Sequence, residues 1–140
     1  MAGSWSVYWY NGVMVSSEIG RGLDIFELTP SPMVSQNEID AAKTVRLDHL
    51  NTQGQPRFEW PASFALARAY VDQVARSGGL SSGDIARTRD RLATAEGSTD
   101  AAAGEELTEL ADELSSQAGD SSDGAKVRML ASVVRELAGS

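Results

Sequence analysis

The stretch that most constrains this chain is its front, where Trp5–Leu28 reads WSVYWYNGVMVSSEIGRGLDIFEL. Trp5, Tyr8, Trp9 and Tyr10 crowd six positions without helical spacing, as an aromatic strand does. Asn11-Gly12 supplies the two positive-φ residues that a tight hairpin turn requires. Val13–Ile19 is then the return strand and Gly20-Arg21-Gly22 a second turn. Leu23–Leu28 is a third strand, stopped by Pro30 and Pro32. Alternation places Trp5, Val7 and Trp9 on one side of this meander and Tyr8 and Tyr10 on the other. Leu23 and Ile25 likewise oppose Phe26 and Leu28. A sheet apolar on both faces needs cover on both. Helices packed on one side meet half of that need, and more chain or a partner must meet the rest.

From Ser35 onward the pattern is helical. Ser35 and Glu38 form a capping box opening a helix that is expected to reach about Leu50, with Ile39, Ala42, Val45 and Leu47 inward. Asn51–Gln55 is a polar break. Pro61 is placed at the first position of helix two, whose stripe is Phe64, Ala67, Val71 and Val74. Ser77-Gly78-Gly79 ends it. Helix three starts near Ser81 or Ser82 and carries Ile85 and Leu92. Helix four sets Leu107, Leu110, Ala111 and Leu114 at i, i+3, i+4 and i+7, and helix five repeats that spacing with Val127, Leu130, Ala131 and Val134. The breaks EGSTDAAAG and AGDSSDG are short enough for antiparallel neighbours. The expected fold class is therefore α+β, a short N-terminal three-stranded antiparallel β-meander followed by an all-helical bundle of about five helices. The expected division is 1–33 for the meander and 34–140 for the helical domain, with two helices in 34–79 and a three-helix portion with an acidic face in 80–140.

Charge is unevenly placed. The net charge is −8, and no Lys or Arg occurs between Arg91 and Lys126. That gap holds nine acids: Glu96, Asp100, Glu105, Glu106, Glu109, Asp112, Glu113, Asp120 and Asp123. Nucleic acid is not an expected partner, because phosphate affinity needs clustered Lys and Arg. Glu105, Glu109 and Glu113 follow at i, i+4 and i+8, a spacing at which like charges repel. They form a candidate acidic surface for a basic partner. No apolar run approaches the roughly 20 residues of a membrane span. The front lacks the pattern of a signal peptide.

The 140 residues include no Cys, so disulfides and thiolate chemistry are excluded. His49 is the one histidine. It has no second His nearby for a metal site and no G-x-S-x-G elbow to accompany it. Glycine turns at 20–22 and 77–79 lack phosphate-loop spacing. Glu18 and Asp24 flank Arg21, as partners for its charge or as ligands for a cation. No catalytic, cofactor-binding or metal-binding residue is assigned. Trp5, Tyr8, Trp9, Tyr10 and Phe26 are the expected interface, since Tyr and Trp anchor protein interfaces.

The segments YWYNGVMVSSEIGRGLDIFELTPS, SQNEIDAAKTVRLD and FEWPASFALARAYVDQ together resemble the C-terminal end of bacterial LVIVD-repeat β-propeller proteins, over roughly residues 5–80. The resemblance implies a last propeller blade running into a helical tail. A blade lies between neighbouring blades, which accounts for two apolar faces. The expected function is a non-enzymatic structural or interaction module, associating as a homo-oligomer or with a larger propeller-type protein. A small-ligand binder with an aromatic pocket between the sheet and helix two is the alternative, and a hydrolase using His49 a third. The expected compartment is cytoplasmic if the chain is complete and secreted if it is a fragment of a propeller protein.

Overall fold

A computed structural model describes residues 3–98 and 101–140. Three strands, β1 (Ser4–Tyr10), β2 (Val13–Glu18) and β3 (Gly22–Phe26), form one antiparallel sheet in the order β1-β2-β3. Helices α1 (Gln36–Lys43), α2 (Phe64–Ser77), α3 (Ser82–Glu96), α4 (Ala101–Gln117) and α5 (Gly124–Ala138) follow, with a short 3₁₀ turn at Thr52–Gly54. The α+β class and its element order are as the sequence predicts. The chain divides into two compact units, Met1–Pro61 and Ala62–Ser140. The first helix, expected with the helical domain, thus belongs to the same unit as the sheet.

In the first unit, Asn11 (φ 49) and Gly12 (φ 97) make the tight turn, and the register pairs Tyr10 with Val13, Trp9 with Met14 and Tyr8 with Val15. α1 opens on the Ser35–Glu38 capping box, both halves of which are formed. It ends at Lys43, not near Leu50. Beyond Thr44, backbone groups of Leu47 and Asp48 bond the β-hairpin rather than continuing a helical ladder, and β-branched Thr44 and Val45 favour that exit.

The second unit is a four-helix ring. α2 packs on α3, α3 on α4, α4 on α5, and α5 back on α2, with the short connections of an up-down bundle. α2 begins three residues after Pro61, because the Ser63 side chain accepts from the Leu66 N–H and so caps the helix. Helix three does begin at Ser82, capped by Ser81. The stripes of α4 and α5 are buried as their spacing predicts, from Leu107 to Leu114 and from Val127 to Val134. Thr88 is buried beside Ile85 and Leu92 on α3. Within the EGSTDAAAG break, Thr99 and Asp100 lie outside the described residues. Burying each large aliphatic side chain of this core stabilises it by about 1.5–3 kcal/mol.

The loops at one end of the ring are tied together. The Ser121 hydroxyl donates to the Gly79 carbonyl (2.6 Å) and that of Ser122 to the Gly78 carbonyl (3.1 Å). Gly124 opens α5, and a Cβ there would collide with the backbone carbonyl of Ala118. Gly124→Ala is therefore expected to destabilise the bundle by about 1–3 kcal/mol, read as a lower urea midpoint by far-UV circular dichroism. An unchanged midpoint would show that the α4–α5 connection yields freely.

Candidate functional site

The two faces of the sheet follow from its register. Trp9, Met14 and Phe26 form one row, Tyr8, Val15 and Ile25 the next, and Val7, Ser16 and Asp24 the third. Rows alternate in face, so Tyr8, Val15 and Ile25 oppose the Trp9 row. At the far end, Ser4 pairs with Glu18 and Ser6 with Ser17, a register shift that takes Trp5 out of the alternation. The expected grouping of Trp5 with Val7 and Trp9 is corrected by this bulge. Ser4, rather than Trp5, meets Ser16 through its hydroxyl, and Ser6 bonds Ser17 (3.1 Å). The sheet is thus apolar on both faces at its Asn11-Gly12 end and lined with hydroxyls at the other.

The Asn11-Gly12 end of the sheet is held by the segment at and after the end of α1. The Trp9 indole Nε1 donates to the Ala42 carbonyl (3.3 Å), and the Tyr10 hydroxyl to that of Asp48 (3.1 Å). Asn11 is the centre of this clasp. Its amide donates to the Leu47 carbonyl (2.9 Å) while its side-chain oxygen accepts from the Leu47 N–H (2.8 Å). Arg46 Nη1 donates to the Asn11 carbonyl (2.7 Å). Asn11 therefore makes the turn and also fastens it, a second role that the Asn-Gly signal does not disclose.

The other residues of the expected interface divide by exposure. Trp5 is 77% exposed, Phe26 48% and Tyr8 42%, whereas Trp9 and Tyr10 are half-buried. Leu23, Ile25, Val7 and Ile19 add further exposed apolar surface. Two open grooves, each of about 240 Å³, lie along β1. One is lined by Tyr8, Tyr10, Val15, Leu50 and Thr52 and the other reaches Phe58, so their wall is the Leu50–Phe58 segment of the same unit.

Glu18 is buried at the second turn. Its carboxylate accepts from the backbone N–H groups of Gly3 (2.9 Å), Gly20 (2.7 Å) and Arg21. The Gly3 bond, with those from Arg21 and Gly20, holds its pKa below the ordinary carboxylate range against the opposing effect of burial. Arg21 pairs with Asp24 (2.7 Å) and lies 3.8 Å from Glu18, so both acids serve the turn. His49 is exposed in the segment after α1. Among the described residues no three His, Asp or Glu side chains gather as a metal site would require.

The acidic stripe is answered within the second unit. Arg91 of α3 pairs with Glu106 and with Glu113 (2.8 Å) and approaches Glu109 (4.0 Å), while Arg87 reaches Glu113 (3.5 Å). The counter-charge expected of a partner for Glu109 and Glu113 is supplied by α3. Glu105 is exposed. Among the described residues no helix is long and apolar enough to cross a membrane.

No protein-family model matches this chain, and neither curated proteins nor solved structures include a match to it. The propeller resemblance therefore rests on the quoted segments alone.

Two outcomes are expected. Asn11→Ala places a Cβ-bearing residue without a side-chain amide in the left-handed region and removes both bonds to Leu47. The expected loss is about 2–3 kcal/mol, read as faster amide exchange in β1 and β2. Asn11→Gly should restore the turn but not the clasp and fall between. For Glu18, the lowered folded-state pKa means that the unfolded chain binds more protons as pH falls through the carboxylate range. Its stabilisation is present above the unfolded value and lost as pH drops through the folded one. Acid titration should loosen the turn at 20–22 first, and Glu18→Gln should remove that dependence.

Proposed function

We propose that this chain is a non-enzymatic interaction module that associates through its aromatic β-meander, with a second copy of itself or with a larger propeller-type protein. The observation that supports this reading is how unevenly apolar surface is distributed between the two units. Of the large apolar side chains that are exposed among the described residues, nine lie in the first unit: Trp5, Val7, Tyr8, Ile19, Leu23, Ile25, Phe26, Met33 and Trp60. Met129 alone lies in the second. Among the described residues the buried apolar side chains run the other way, with Ile39, Ala41 and Val45 in the first unit and eighteen in the second. A three-stranded sheet needs an apolar face packed against something to be stable, and contiguous exposed apolar patches mark interaction sites.

Both sheet edges are available in the strand order, and an added strand would gain main-chain hydrogen bonds at either. Leu23 and Ile25 on β3, 58% and 62% exposed, would then be covered. Light scattering at micromolar concentration should give a species heavier than 14.9 kDa, or one that forms with an added propeller partner. Ile25→Asp should return it to monomer with the second unit's helicity unchanged. A monomer that stays soluble at high concentration and takes no partner would refute the reading.

The aromatic groove beside Tyr8 and Tyr10 supports a second reading, a small-ligand site. It is distinguished by tryptophan fluorescence that shifts and saturates with an apolar or carbohydrate ligand while the mass remains that of one chain.

A further inference from the structure

Acids outnumber bases in this chain by twenty to twelve, so a positively charged side chain without a carboxylate partner is informative. The three arginines of α3 are all paired: Arg87 with Asp84 and Glu113, Arg89 with Asp72, and Arg91 with Glu106 and Glu113. Arg46 and Arg57 are not, and of the described cations without a carboxylate, Lys43, Lys126 and Arg128 included, these two share a groove. Among the described residues neither has a carboxylate within ion-pair distance, and both line one groove of about 400 Å³ in the first unit. Its other walls include Leu47, Phe58 and Pro61, with Glu59 also at its surface.

The groove is built rather than incidental. Arg46 is oriented, because one arm of its guanidinium donates to the Asn11 carbonyl (2.7 Å) at the hairpin turn. A planar guanidinium fixed through one nitrogen loses less freedom when its remaining N–H groups engage an anion. Gln55, in the left-handed region (φ 46), turns the chain just before Pro56, which lines the groove. That turn leads into Arg57 and Phe58, the latter half-buried. Two cations and one carboxylate give a local charge of about +1, which suits a monoanion better than a dianion. Phe58 and the prolines offer an apolar surface for a flat group beside that anion.

We propose that this groove binds a small aromatic monocarboxylate, with the carboxylate between Arg46 and Arg57 and the ring against Phe58. The site is separate from the exposed sheet and does not depend on the association proposed for it. The test is a nuclear magnetic resonance titration of the full chain with benzoate, followed at backbone amides and at the arginine Nε–H groups. Saturating shifts are expected at residues 44–47 and 56–59. Benzamide, of the same shape but neutral, should bind about tenfold more weakly or worse, the scale of one lost charge-assisted hydrogen bond. Arg57→Gln should weaken benzoate similarly and leave amides outside the groove unmoved, since Arg57 is exposed. Benzoate and benzamide binding alike, an Arg57→Gln chain that binds benzoate as before, or shifts that never saturate would each overturn the proposal.

Discussion

The first unit depends on one side chain facing the backbone of one residue. Asn11 meets both the N–H and the C=O of Leu47, as an adjoining strand would. By this contact a two-residue turn holds a segment 36 residues away in sequence. The Trp9 indole and the Tyr10 hydroxyl reach carbonyls of the same stretch, so three successive residues of the hairpin engage it. The Trp9 bond satisfies the Ala42 carbonyl, one of the last four that the end of α1 leaves without a helical partner.

The clasp is specific, but the unit around it buries little. Among the described residues Ile39, Ala41 and Val45 are the buried apolar side chains of the first unit, and three such residues are a small core for about sixty residues. Polar devices do much of the remaining work: the serine pairs between β1 and β2, the Glu18 carboxylate under its three N–H donors, and the Asn11 clasp. Each is directional and fixes geometry more than it adds stability. The second unit is organised the other way, with continuous aliphatic stripes inside and ion pairs outside, where such pairs contribute modestly. One chain thus joins a unit held by specific polar contacts to a unit held by burial.

How far the sequence could be read follows this difference. Where burial sets the structure, as in α4 and α5, spacing alone placed Leu107, Leu110, Leu114, Val127, Leu130 and Val134 inside. Glycine and asparagine located both turns of the meander, because positive φ selects those residues. Errors arose where a polar side chain outweighed the local pattern. Ser63 caps α2 past Pro61, and the bulge at Trp5 interrupts alternation. The backbone groups after Thr44 leave the helical ladder for the hairpin. The roles of Ser16 and Glu18 were hidden because a serine or glutamate in a strand usually faces water. The arginines that answer Glu109 and Glu113 come from another helix, and no pattern within α4 reveals them.

At one end of the second unit, Ser121 and Ser122 reach across to the carbonyls of Gly79 and Gly78. The two loops belong to different helical hairpins, α2–α3 and α4–α5. Neither hairpin can peel away from the other while those hydroxyls hold their acceptors. Two hydroxyls thus tie one hairpin to the other beside the interface that α2 and α5 share.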